Sequence, residues 1–135
     1  MLDMHVRLGC PPGFDPDEGE LERIDMLGTA SIELVPRPRE AVRGAHAVHT
    51  DTWVSMGQED EKASRKQAFE GFTVDSDLMS LAAPEGVFMH CLPAYRGIEV
   101  TADVIDGPRS VVVQQAHNRL HSARALLAFL MSVNP

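Results

Sequence analysis

Cysteine is scarce: Cys10 and Cys91 are the only two in 135 residues, far apart and in unlike contexts, too few for a disulfide framework. A reducing cytoplasm is the expected compartment. Basic residues are outnumbered, with 12 Lys and Arg against 20 Asp and Glu and a formal net charge of -8. That balance argues against a nucleic-acid partner, because phosphate binding needs clustered Lys and Arg. The acidic excess serves solubility instead. No continuous apolar run is long enough to cross a bilayer, and no positively charged leader precedes an apolar stretch, so neither membrane insertion nor export is expected. Internal repeats, low-complexity tracts and a second-domain boundary are also missing. What is present suits one globular domain, with 44% hydrophobic and 24% charged residues.

Short apolar runs alternate with helical patterns. A strand is expected over Met4 to Leu8, stopped by Gly9-Cys10-Pro11-Pro12-Gly13. A helix starts near Asp15-Pro16-Asp17, carries Leu21, Ile24 and Leu27 at helical spacing, and stops at Gly28. Ser31 to Val35 reads as a second strand and is followed by a brief helix through Ala41 and Val42 to Gly44. A third strand, Ala47 to Thr50, delivers Asp51 at its carboxyl end. Ser55 to Lys66 is polar and reads as a mobile loop entering a short helix, with apolar anchors only at Phe69 and Phe72. Asp75 or Ser76 caps a helix bearing Leu78, Met79 and Leu81, which Pro84-Glu85-Gly86 ends before a strand from Val87 to His90. A helical turn over Val100 to Ile105 closes at Gly107-Pro108, and Val111-Val112-Val113 is expected as a buried strand. Gln115 to Val133 is the strongest helix, with Leu120, Ala123, Leu127 and Leu130 on one face widened by Ala125, Leu126 and Phe129.

This alternation implies right-handed crossovers and a parallel sheet with helices on both faces, a Rossmann-like α/β fold in a single domain. Ligands of such sheets bind outside the carboxyl ends of the strands. That rule singles out the loops at Asp51 and at His90-Cys91 before any other consideration. Taken singly, each candidate has a plain alternative. Asp51 alone could be a turn or capping aspartate. Cys91 alone could be a buried structural cysteine, as Cys10 is expected to be, and Arg119 alone could be a surface charge. Asp51, His90 and Cys91 could ligate a metal by donor type, but no structural-zinc spacing is present, and no metal site is expected.

Context decides among these readings. Asp51-Thr52-Trp53-Val54-Ser55-Met56-Gly57 and Phe88-Met89-His90-Cys91-Leu92-Pro93-Ala94-Tyr95-Arg96-Gly97 each follow an apolar strand-like run, and Asn118-Arg119-Leu120-His121 lies on the final helix. In that order they resemble the substrate-binding motifs of ornithine carbamoyltransferases. The family's subunit is about twice as long, with two domains. Its Ser-Thr-Arg-Thr phosphate loop has no counterpart here, nor does the Asn-rich segment that follows the first strand of its second domain. Residues 1–135 therefore resemble the C-terminal, ornithine-binding domain, cut short at its N-terminal edge, from a truncated or split gene or as an isolated domain.

The resemblance implies the reaction of carbamoyl phosphate with L-ornithine to give L-citrulline and phosphate, with no cofactor. Asp51 would bind the α-ammonium group, with Ser55 and Met56 fixing the amino-acid backbone. Carbamoyl transfer needs no covalent intermediate, so Cys91 is assigned a polar contact with the ornithine side chain rather than nucleophilic attack. The Leu92 carbonyl would accept from the carbamoyl NH2. His90 would order Cys91 or tune its proton affinity, with Glu99 as a supporting acid, and Arg119 would reach carbamoyl phosphate. Arg96 is a further candidate. Relatives commonly carry Glu where His117 stands, which bears on how Arg119 is positioned. Closure of the Ser55 to Lys66 loop would exclude water. Alone, the chain is expected to be inactive and to expose an apolar surface. Its expected partners are a separate N-terminal carbamoyl-phosphate domain and, as in the trimeric family, further copies. The alternative is a non-catalytic amino-acid-binding or regulatory domain.

Overall fold

The computed structural model describes residues 4–28, 31–54, 57 and 59–133. The chain alternates strand and helix: β1 (His5–Gly9), α1 (Glu18–Asp25), β2 (Ser31–Val35), α2 (Pro38–Val42), β3 (Ala47–Thr50), α3 (Lys62–Ala68), α4 (Ser76–Met79), β4 (Val87–His90), α5 (Ala102–Ile105) and α6 (Val112–Val133). Local chemistry fixes the boundaries. Asp17 caps α1 by accepting from the Gly19 N–H at 3.0 Å. Pro38 opens α2, where its missing N–H costs nothing and Arg37 before it is held extended. Asp75 caps α4 by accepting from the Leu78 N–H at 2.7 Å.

β1 and β2 run parallel, from His5 opposite Ser31 to Gly9 opposite Val35; β3 and β4 run parallel, from Ala47 opposite Val87 to Thr50 opposite His90. The expected parallel sheet is thus present as two two-stranded pairs. Isolated parallel bridges join Phe88 to Ser110 and Val74 to Val100.

The core lies around β3 and β4. Phe88 and Val100 are fully buried, and Val48, Val74, Leu78, Met79, Val104 and Val112 pack with them. Strand alternation puts Phe88 and His90 on the same buried side of β4. Arg109 ties the loop before β4 to this core by donating to the carbonyls of Gly86 (2.6 Å), Met79 (2.9 Å) and Ala83 (2.8 Å).

One element differs from its sequence reading. Val111 to Val113 is not a buried strand: a single rung forms, with Phe88 donating to Arg109 and Val111 donating to Phe88, and α6 begins at once, Gln115 donating to the Val111 carbonyl at 2.9 Å. A three-residue valine run carries no period, and tertiary context decides its state. Val112 is buried while Val113 is 76% exposed. The apolar face of α6 is exposed, including Leu120, Leu126, Leu127, Phe129 and Leu130. No helix among the described residues is long and apolar enough to cross a membrane.

Candidate functional site

The paired strands β3 and β4 end side by side, so Asp51 and Cys91 emerge together. The Cys91 Sγ–H donates to Asp51 Oδ1 at 2.8 Å, and the same oxygen accepts from the Thr52 N–H at 2.7 Å. Asp51 is exposed, and its Oδ2 accepts no hydrogen bond from a described residue. Behind them His90 is fully buried. Its Nδ1 accepts from the Leu92 N–H at 2.8 Å, which assigns the ring proton to Nε2. That nitrogen faces Glu99 Oε1 at 3.4 Å, and Glu99 is also fully buried. Gly97, at φ +80, turns the chain back so that Glu99 reaches inward, where Oε1 accepts from the Tyr95 N–H at 2.5 Å.

These contacts set the charges. Burial alone would raise the Asp51 pKa, but the Cys91 and Thr52 hydrogen bonds, with His90 and His49 nearby, hold it below the usual carboxylate range. Cys91 is moved the other way, raised first by its bond to Asp51, then by burial and by the charge of Asp51, against an opposing pull from Arg119. Near neutral pH the pair is a carboxylate and a thiol, so Cys91 is a hydrogen-bonding group and not a thiolate nucleophile. Burial lowers the His49 pKa, partly offset by Asp51.

The main chain contributes too. Leu92 sits in the left-handed region at φ +59, uncommon for a residue with a branched side chain, and its carbonyl accepts no hydrogen bond from a described residue. Two side chains that sequence reasoning passed over hold the strand ends together. Gln115, in the first turn of α6, accepts from the His90 N–H at 3.0 Å and lies 3.3 Å from His49 Nε2. Trp53 is buried and stacks on Phe69 at 5.4 Å, with Phe14 and Phe72 edge-on to Phe69. This cluster fastens α3 beside the Asp51 loop. The signal for it was the spacing of aromatics around a polar stretch.

Asp51, His90, Cys91, Leu92 and Glu99 are thus brought together. Arg119 is exposed on α6 and makes no ion pair among the described residues, though its charge is felt at Cys91. His117 stands edge-on to His121 at 5.1 Å. Arg96 is engaged elsewhere, in a two-pronged pair with Asp106 at 2.6 and 2.8 Å. Ser55 and Met56 lie outside the described residues. The donor atoms of Asp51, His90 and Cys91 fall within 4.8 Å of one another. Of these, the thiol donates to Asp51 and His90 Nδ1 accepts from the Leu92 N–H, while His90 Nε2 is buried without a hydrogen-bond partner among the described residues.

Fold and site together define an α/β domain that presents a carboxylate, a thiol and an unspent carbonyl at the carboxyl ends of parallel strands. Residues 1–130 match the family described as "Aspartate/ornithine carbamoyltransferase, Asp/Orn binding domain". The chain belongs to that family. It is 53% identical over 133 residues to an ornithine carbamoyltransferase of Parasynechococcus marenigrum, spanning 97% of this chain and 42% of that one. With the enzyme of that name from Methanothermobacter thermautotrophicus it shares 51% identity over 133 residues, 96% of this chain and 44% of the relative. Among solved structures, the anabolic ornithine carbamoyltransferase of Campylobacter jejuni matches with a TM-score of 0.88 at 35% identity, over 96% of this chain and 44% of that one. The Pyrococcus furiosus enzyme matches with a TM-score of 0.84 at 46% identity, over 93% and 41%. The Rossmann-like fold is shared with these structures. The chain spans less than half the length of the relatives it matches.

Proposed function

We propose that this chain supplies the ornithine-binding half of an ornithine carbamoyltransferase, working in the cytoplasm. The observation that carries this reading is the Asp51–Cys91 pair at 2.8 Å with Asp51 Oδ2 left open. A depressed carboxylate with one oxygen pinned and one open suits an α-ammonium group, a charge-assisted contact stronger than a neutral one. Ser55 and Met56 hold the rest of the amino-acid end. The Cys91 thiol lies against the ornithine side chain, kept in place by Asp51 and by the turn that His90 and Glu99 stabilise. The Leu92 carbonyl takes the carbamoyl NH2, and Arg119 meets the phosphate.

In the reaction, the neutral δ-amine attacks the carbamoyl carbon and forms the new C–N bond. The bond from that carbon to the phosphate oxygen breaks, phosphate leaves with the electron pair, and the amine sheds a proton. Orientation and electrostatic stabilisation carry such a step, and closure over ornithine excludes water. The remaining phosphate contacts come from a separate carbamoyl-phosphate domain, and the working assembly is a homotrimer of paired halves. Citrulline formation is the test. The chain alone should make none, and the chain mixed with the carbamoyl-phosphate portion of a relative should make citrulline and lose that activity in Asp51→Ala. A mixture that assembles, binds ornithine and stays inactive would favour a non-catalytic amino-acid-binding domain.

A further inference from the structure

The polar side of α6 carries two histidines that the reaction does not use. Residues four apart on a helix lie one above the other on the same face. His117 and His121 are such a pair, and their rings stand edge-on with centroids 5.1 Å apart. Both residues are exposed, and neither ring makes a hydrogen bond or an ion pair to a described residue. Their place around the axis keeps them clear of the strand-end site. At about 100° per residue, His121 lies half a turn from Val112, the buried residue of α6, and Arg119 lies nearly opposite both histidines. The apolar stripe through Ala123, Leu127 and Leu130 is centred about a third of a turn away, so a partner covering it would leave the histidines open.

A neutral imidazole offers a lone pair that suits borderline divalent cations such as Zn2+ and Ni2+. Two of them at i and i+4 on one helix face supply two positions of a tetrahedral shell. A metal–nitrogen bond of ~2 Å puts each ring centre about 3 Å from the metal, so two rings at neighbouring tetrahedral positions stand about 5 Å apart. The 5.1 Å between His117 and His121 has that spacing, so closing on a cation takes side-chain rotation and no movement of the helix. α6 contains no Asp or Glu, and a hard cation such as Mg2+ or Ca2+ finds no carboxylate on it. Arg124, three residues beyond His121, shares this side of the helix and opposes a cation, which keeps the affinity below that of a closed four-ligand site.

We propose that His117 and His121 form a two-imidazole site for a divalent transition cation of the Zn2+ and Ni2+ class, with water at its remaining positions. The bound cation staples the turn of α6 between them. It favours the folded helix, because an unfolded chain does not hold the two rings at this spacing. The inference rests on the histidine pair alone and holds whatever reaction the strand-end loops perform. Asp51, His90 and Cys91 form another cluster of donor atoms, so the test must tell the two places apart.

The test titrates the 135-residue chain with NiCl2 at neutral pH and follows its NMR spectrum residue by residue, since paramagnetic Ni2+ broadens the signals nearest to it. The His117 and His121 signals should broaden together, and before those of His90 and Cys91. His117→Gln and His121→Gln each remove one of the two ligands and should weaken binding at this site about tenfold or more. Both positions are exposed and glutamine suits a helix, so these variants keep the parent fold. His121→Gln combined with Ser122→His keeps six histidines but sets the pair five residues apart, and it should bind no better than His121→Gln alone. Saturating Zn2+ should slow exchange of the His121 amide, which closes the stapled turn, by about threefold or more. Absence of broadening at the pair up to about 1 mM Ni2+, or broadening that begins at His90 and Cys91, would overturn the proposal. So would parental affinity in either single variant or in the five-apart variant, or an unchanged His121 amide under Zn2+.

Discussion

The Cys91 thiol donates to Asp51 Oδ1 across 2.8 Å, joining the loop after β4 to the loop after β3. One bond thereby sets both protonation states. It raises the thiol and lowers the carboxylate, so neither group can be read from its residue type alone.

The first prediction concerns reactivity. Cys91 should be alkylated by iodoacetamide slowly at neutral pH, with a rate that climbs at a more alkaline pH than for an unperturbed thiol. Asp51→Asn removes the largest cause of the shift, and the Cys91 profile should move toward lower pH. Peptide-resolved mass spectrometry separates Cys91 from Cys10, whose pKa is raised by burial and Asp15. An unchanged Cys91 profile in Asp51→Asn would contradict the coupling.

Stability should follow the same pair in opposite directions. The depressed Asp51 contributes stability that is present above its unfolded pKa and is lost as pH falls through its folded value. The raised Cys91 contributes stability that is present below its unfolded pKa and is lost as pH rises through its folded value. Urea titrations should therefore show an acid loss and an alkaline loss. Asp51→Asn should flatten the acid limb and shrink the alkaline one.

Buried packing sets the largest stability effects. Phe88→Ala opens a cavity at a fully buried position and should cost about 3–5 kcal/mol. Glu99→Ala strands the Tyr95 N–H and should cost about 1–3 kcal/mol for that donor left without a partner. Glu99→Gln keeps an acceptor for Tyr95 and should lose less. Equal midpoints for the two Glu99 variants in urea would count against this role.

Arg109 should prove more important than a surface arginine. Its three bonds to the Gly86, Met79 and Ala83 carbonyls hold the approach to β4. Arg109→Ala should lower stability by about 3 kcal/mol, near 1 for each carbonyl released. A surface arginine without such partners would change it by about 0.5 kcal/mol or less.

Much of this was legible in the chain. The β3 and β4 boundaries follow from short apolar runs ended by Asp51 and Cys91, and the sheet rule pointed to both loops. The start of α6 was misread because a valine triplet suits a strand or a buried helix turn, and only the Phe88–Ser110 bridge decides it. Glu99 could not be placed firmly from sequence, since its reach to His90 depends on the turn at Gly97. Gln115 and Arg109 stayed hidden because their partners are main-chain groups remote in sequence. The split into two strand pairs was equally hidden, because no local pattern records which strands are neighbours.

Calorimetric titration of the assembled mixture, chain plus the carbamoyl-phosphate portion of a relative, with L-ornithine and then with 5-aminopentanoate tests the central claim most directly. 5-Aminopentanoate keeps the amine that would be carbamoylated and the carboxylate, and lacks the α-ammonium that Asp51 would hold. The account predicts binding of ornithine that is at least about tenfold tighter than binding of 5-aminopentanoate, a preference lost in Asp51→Asn. Equal affinity for the two amines, or an ornithine preference that survives Asp51→Asn, would contradict it.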